Sequence, residues 1–247
     1  KAGDGTLAWS FNGTVAPGTS VGEVYGMPYV DYARNLVYFA SRAIGTPPRS
    51  LWVIDSLTGN PVACGTPCER GHLQTSPTLS RDGATLYVGD TVGNLHAITI
   101  SAGPVLTLKW TLPLPGGTTI KDAGFVWEDY TTAGRLYFTT SDGAVRCYQD
   151  NGGSATACTV PSSWAVPTVL GASTPLLLNK LFVGSSDGKV HQINLSTGAD
   201  EKQFPASTTL DGSAVIGDVS TETGAEIFVG TDSGKIYRIN LVSGALP

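Results

Sequence analysis

Cys64, Cys68 and His72 fall at Cys-x3-Cys-x3-His spacing, and all three are zinc-binding residue types. A fourth ligand is missing and the spacing matches no zinc pattern. The better expectation is a Cys64–Cys68 disulfide beside a surface His72. Haem attachment needs Cys-x-x-Cys-His, which the chain lacks. The run Asp218-x-Ser220-x-Glu222-x-Gly224-x-Glu226 alternates oxygen ligands as calcium loops do. It lacks Asp or Asn at the third and fifth positions and Gly at the sixth, and it falls where a hairpin turn is needed. A plain turn is therefore the first reading, with calcium at Asp218, Ser220 and Glu222 the option kept open. Glu128-Asp129 is a carboxylate pair, but adjacent strand residues point to opposite faces, a poor geometry for an acid/base dyad. No Ser/His/Asp set, phosphate loop or G-x-S-x-G elbow is recognisable. No catalytic, cofactor-binding or metal residue is assigned on this basis, and no cofactor is expected.

What must position these residues is a chain of 247 residues with 31 Gly, 15 Pro and only 14% charged residues. Many short strands joined by Gly turns produce that balance. The net charge of −5 comes without a basic stripe, which argues against nucleic acid and anionic membranes as partners. No apolar run approaches the ~18 residues of a transmembrane helix. The chain opens at Lys1 only a few residues before a strand pattern, so an upstream segment is expected to have been removed or omitted. Cys147 and Cys158 flank the turn Asp150-Asn151-Gly152-Gly153. In a hairpin closed by that turn they face each other within disulfide reach. Two local disulfides, 64–68 and 147–158, imply an extracellular, cell-surface or periplasmic location.

A repeat organises the whole chain. Leu181-Phe182-Val183 has relatives in Val37-Tyr38-Phe39, Leu86-Tyr87-Val88, Leu136-Tyr137-Phe138 and Ile227-Phe228-Val229. Their separation, in the mid-forties to fifty, is the period of a four-stranded propeller blade. A preceding strand is expected at 28–30, 77–79, 124–126, 167–169 and 214–216. A following strand is expected at 51–54, 95–98, 145–148, 190–193 and 236–239. Weaker outer strands fall at 107–110 and 157–160. The expected fold is all-β, a single β-propeller domain over 1–247. Its blades run approximately over 24–66, 74–113, 120–161, 164–205 and 211–247, with Gly5–Phe11 as the closing strand. The alternative is part of a six- to eight-bladed ring. His96 and His191 occupy one repeat position, held elsewhere by Trp52, Arg146 and Tyr237, so a packing role is expected for both.

The stretches 87–98 (YVGDTVGNLHAI), 182–198 (FVGSSDGKVHQINLSTG) and 228–244 (FVGTDSGKIYRINLVSG) resemble the PQQ-like, or quinoprotein-like, propeller repeat. Trp9 and Trp110 sit where such repeats often place an outer-strand Trp. The resemblance implies a propeller. It leaves the activity open, because relatives include quinone-dependent dehydrogenases, a lipoprotein of the outer-membrane barrel-assembly machinery and surface proteins. The dehydrogenases look like longer, eight-bladed rings that stack their cofactor beside a disulfide of adjacent cysteines, and no Cys-Cys pair occurs here.

One face of such a ring gathers the loops between blades and the turns between second and third strands. Here it carries the insertion Ser41–Ser50 with Arg42 and Arg49, the Cys64–His72 loop, Lys121, Asp122, Trp164 and Asp211. Arg and Trp are common interface anchors. The first functional expectation is a secreted or cell-surface scaffold or protein-interaction domain, whose partner is another protein or a surface assembly. One alternative is an enzyme using the axial funnel, either a quinone-type dehydrogenase or a glycan-active hydrolase relying on Asp122 and Asp211. Another is a subunit of a surface filament or adhesin. Asn12-Gly13-Thr14 and Asn194-Leu195-Ser196 are glycosylation sequons.

Overall fold

The structure, a computed structural model, describes residues 6–13, 20–44, 48–101, 105–120, 124, 126–129, 132–158, 176–177, 180–205, 215–216, 226–231 and 233–241. Among them every regular element except two single 3₁₀ turns is a strand, and all pairings are antiparallel. The chain divides into two compact units, Lys1–Val126 with Gly152–Ser154 and Trp127–Asn151 with Ala155–Pro247.

The first unit holds two sheets. One is β1 (Tyr29–Asp31), β2 (Leu36–Ile44) and β3 (Arg49–Asp55); the other is β4 (Thr78–Leu79), β5 (Thr85–Gly89), β6 (Asn94–Ile100) and β7 (Leu106–Pro113), each a simple meander. Strand alternation sends Leu36, Tyr38 and Ala40 to one face of β2. There they form a single core with Leu86 and Val88 of β5 and Ile98 and Ile100 of β6. On the opposite face, Phe39 pairs with Trp52 across the ladder, and Phe11 covers both rings edge-on at 6.4 and 5.5 Å. Residues 6–13 carry no strand assignment. Side chains anchor this segment, with Trp9 Nε1 donating to the Ser56 carbonyl at 2.9 Å.

The second unit holds β8 (Trp127–Glu128), β9 (Arg135–Thr139), β10 (Val145–Asp150) and β11 (Ala155–Ala157) in a third sheet. A fourth contains β12 (Leu176–Leu177), β13 (Leu181–Gly184), β14 (Lys189–Ile193) and β15 (Asp200–Pro205). A fifth contains β16 (Val215–Ile216), β17 (Glu226–Gly230) and β18 (Ile236–Asn240). The fourth sheet is buried on both faces. Leu181 and Val183 pack with Tyr137 of the third sheet, while Phe182 packs with Ile227 and Val229 of the fifth. One pattern recurs: the central aromatic of a repeat triplet shares a buried cluster with the two aliphatic residues of the next sheet's triplet. Tyr38 does so with Leu86 and Val88, Tyr137 with Leu181 and Val183, and Phe182 with Ile227 and Val229. The triplets are apolar on both faces because both faces are covered.

In the third sheet the first strand is Trp127–Glu128, later than the expected 124–126, and in the fourth the first strand among the described residues is Leu176–Leu177. The pairing explains both. Trp127 opposes Tyr137 and Leu176 opposes Phe182, so the triplet aromatic fixes the register and the connector length varies. Residues 167–169 themselves lie outside the described residues. The Ser41–Ser50 insertion is also less of a loop than expected. The β2–β3 ladder continues into it past a register shift and pairs Ile44 with Arg49.

Both disulfides form: Cys64–Cys68 with Cα atoms 5.7 Å apart and Cys147–Cys158 with Cα atoms 5.4 Å apart. The second follows the hairpin register, in which Tyr148 opposes Ala157, so Cys147 and Cys158 are the next facing pair.

Candidate binding cleft

The expected face residues separate into three groups. Arg42 and His72 come together in the first unit. Arg49 does not join them: its guanidinium lies over the Trp52 ring, 4.9 Å from the centroid, and burial lowers its pKa against the opposing pull of Glu69. Lys121, Asp122, Trp164 and Asp211 lie outside the described residues, as do the calcium candidates Asp218, Ser220 and Glu222.

Arg42 and His72 line a cleft of about 340 Å³ together with Tyr25, Leu73, Gln74 and Thr91. Four chain segments build it. The end of β2 supplies Arg42. The connection to the second sheet supplies His72, Leu73 and Gln74. The β5–β6 turn supplies Thr91, and the segment before β1 supplies Tyr25. Backbone bonds fasten these segments: Leu73 N–H to Ser41 O at 3.2 Å, and Thr91 N–H to His72 O at 2.9 Å. The Ala43 N–H donates to His72 Nδ1 at 2.9 Å. A nitrogen that accepts carries no proton, so the neutral ring holds its hydrogen on Nε2.

On the rim, Arg42 Nη1 donates to Glu23 Oε2 at 2.9 Å, and the Tyr25 hydroxyl donates to the same oxygen at 2.7 Å. The Arg42 bond, then the Tyr25 bond, holds the Glu23 carboxyl below the usual carboxylate value. All three side chains are exposed.

Tyr25, Gln74, Thr91 and Glu23 were not singled out by sequence reasoning. The available signal was Gly22-x-x-x-Gly26. A Cβ on Gly22 would come within 2.3 Å of the Arg42 carbonyl oxygen, and one on Gly26 within 2.7 Å of the Ser76 nitrogen. The two glycines let residues 22–26 lie flat on neighbouring backbone, which carries Glu23 and Tyr25 to the rim.

The remaining candidates have structural partners. His96 is buried, its Nε2 2.9 Å from Asp90 Oδ2 and its Nδ1 3.0 Å from Thr111 Oγ1. His191 is likewise buried, with Nδ1 2.8 Å from Asp200 Oδ2. Asp129 is buried with its Oδ2 3.4 Å from the Tyr137 oxygen, while Glu128 accepts from the Gly134 N–H at 2.6 Å. Asn194 makes a side-chain turn, its Oδ1 accepting from Ser196 and Thr197 N–H at 2.8 and 3.0 Å. Asp55 does the same at the equivalent turn of the first sheet, so turn chemistry alone accounts for the asparagine of the second sequon. Among the described residues, no three His, Cys, Asp or Glu side chains are grouped as metal ligands.

No protein-family model matches the sequence, and no curated protein matches it. Solved structures do. BamB from Moraxella catarrhalis matches over 89% of this chain and 62% of its own, at 15% identity and a TM-score of 0.59. Sqt1 from Saccharomyces cerevisiae matches over 92% and 62%, at 16% identity and a TM-score of 0.66. The dihydro-haem d1 dehydrogenase NirN, solved in complex with DHE, matches over 91% and 46%, at 19% identity and a TM-score of 0.63. All three are propellers. This chain has the β-propeller fold. At such identities the likeness concerns fold alone, and the chain spans less than two-thirds of the length of each of these three. The cleft of this propeller thus lies where two adjacent sheets and their connection meet, a usual place for recognition loops on a rigid scaffold. Among the described residues no helix is long and apolar enough to cross a membrane.

Proposed function

We propose that this propeller is a non-catalytic protein-interaction or scaffold domain of an exported protein, belonging to the PQQ-like repeat group. One observation carries the reading. Val24, Tyr25, Met27, Ile44 and Val92 are exposed apolar side chains, and each is a cleft-lining residue or lies within two positions of one. They are five of the twelve exposed large apolar side chains among the described residues, and apolar side chains beside a polar cleft are what a docking surface presents. The two disulfides support an oxidising compartment, extracellular or periplasmic.

The test is site-specific photo-crosslinking in extracts of the native source. A photoreactive residue at Thr91 should capture one predominant protein, whereas the same group at Leu57, an exposed position on a different turn, should not. Equal, diffuse capture at both positions would overturn the reading.

A further inference from the structure

The cleft carries its own description of what it takes. The exposed Arg42 guanidinium is occupied by a carboxylate of the same chain, Glu23, at 2.9 Å. Both partners are exposed, with 52% and 63% of their side-chain surfaces accessible. Exposed pairs of this kind contribute little to stability, so they exchange readily. Beside them is His72, whose Nδ1 accepts the Ala43 N–H and so leaves the ring hydrogen on Nε2, and Thr91 lines the same cleft. Arg42, His72 and Thr91 together form a donor set suited to a carboxylate. Tyr25 lines the same cleft, and Met27, Ile44 and Val92, each one or two positions in sequence from a lining residue, are exposed apolar side chains on three segments. Apolar groups contributed by separate segments suit an acidic residue flanked by apolar neighbours within a continuous segment.

We infer that the cleft binds an aspartate or glutamate side chain of an extended segment of a partner protein, with apolar residues around it, and that Glu23 is a stand-in which this carboxylate displaces from Arg42. The inference rests on the protein-interaction reading above and specifies its partner. Glu23 then has two effects. It keeps the guanidinium in position when no partner is present, and it competes with the partner when one arrives. Removing it should strengthen binding, the opposite of what truncating an ordinary contact residue does.

Selection of a random nine-residue peptide library, acetylated and amidated at its ends, on the full chain tests this. Enriched peptides should carry a central Asp or Glu between apolar residues. The chosen peptide should bind at least tenfold more tightly than its Gln-substituted counterpart. Arg42→Gln should erase that difference, and Glu23→Ala should tighten the acidic peptide severalfold while leaving the Gln peptide unchanged. Circular dichroism confirms that both variants fold. Enriched peptides without an acid, or a Glu23→Ala variant that binds the acidic peptide more weakly, would overturn the inference and leave the interaction reading standing. Preference for an uncapped C-terminal carboxylate over a side chain would overturn the stated occupant. No enrichment at all would overturn both readings.

Discussion

His96 Nε2 lies 2.9 Å from Asp90 Oδ2, with both side chains buried. Asp90 also accepts from the Val92 and Asn94 N–H groups at 3.0 and 2.8 Å, and from the Asn94 side chain at 2.9 Å. One buried carboxylate thus closes the β5–β6 turn and holds the histidine. In the third sheet the equivalent position uses Arg146 and Asp142, 2.7 Å apart, and in the fourth His191 with Asp187 and Asp200. Three of the five sheets thus set a turn acid against the base at this position, while in the first sheet Trp52 there donates to Ser41 Oγ, a structural use of the position that accounts for both histidines.

That contact predicts acid sensitivity. Burial pushes the Asp90 carboxyl up, but the hydrogen bonds from His96 and Asn94 together outweigh it, and the net position is below the usual 3.8. A carboxyl whose folded pKa is depressed contributes its full stability above the unfolded value and loses it as pH falls through the folded value. Asp142 and Asp187 shift in the same direction. Asp90→Ala should therefore cost about 2–3 kcal/mol near neutrality, the penalty for leaving buried partners unpaired. The deficit relative to the parent should shrink below about pH 4. Urea unfolding at pH 7 and pH 3 measures it, and an equal deficit at both values would contradict the assignment.

A second contrast concerns equivalent tyrosines. Among the described residues the buried Tyr38 hydroxyl has no hydrogen-bond partner, and burial pushes its pKa up to about 12. The Tyr137 hydroxyl donates to the Leu195 carbonyl at 2.9 Å. The same substitution should have opposite signs. Tyr38→Phe removes an unpaired polar atom and should be neutral or stabilising by up to ~1 kcal/mol, whereas Tyr137→Phe should cost ~1 kcal/mol. Thermal melts of the two variants decide this.

The disulfides give a third prediction. In the loop-entropy picture, Cys147–Cys158 closes the longer loop and contributes about 2.8 kcal/mol, against about 1.9 kcal/mol for Cys64–Cys68. Cys147 and Cys158 also belong to the apolar core between the third and fourth sheets. The Cys147→Ala/Cys158→Ala pair should therefore lower the melting temperature more than the Cys64→Ala/Cys68→Ala pair. The reverse order would show that local strain outweighs chain entropy.

The repeat was legible because its signal is local. Triplets such as Leu181-Phe182-Val183 and turn glycines such as Gly188, at φ 79°, state strand and turn within a few residues. First strands were less legible. Trp127 and Leu176 are set by pairing with Tyr137 and Phe182, and two-residue strands carry almost no periodicity. The cleft was half legible. Arg42 and His72 stand out as charged or titratable loop residues, but Glu23 and Tyr25 reach them through a close backbone approach that residue types do not reveal. Arg49 misled because its side chain has an aromatic ring to lie on. In sequence, an arginine flanking a proline turn looks the same whether it faces solvent or Trp52.

The segment before the first sheet supplies the last prediction. Gly59 has φ 76°, which L side chains rarely adopt, and a Cβ there would come within 2.7 Å of the Trp9 ring. Gly59→Ala should thus strain its own turn and push Trp9 away from the Ser56 carbonyl that its Nε1 now meets at 2.9 Å. Trp9→Phe removes that hydrogen bond while leaving the turn intact. If Trp9 and Phe11 cover the Phe39–Trp52 face as one unit, both variants should loosen residues 6–13. Amide exchange at 6–13 should quicken in both, while exchange in β5 and β6 stays slow. Tryptophan fluorescence should shift to the red in Gly59→Ala as the Trp9 indole gains water. Unchanged exchange at 6–13 in both variants would contradict the Trp9 anchor, and Phe11→Ala would then test the contact with Phe39 and Trp52.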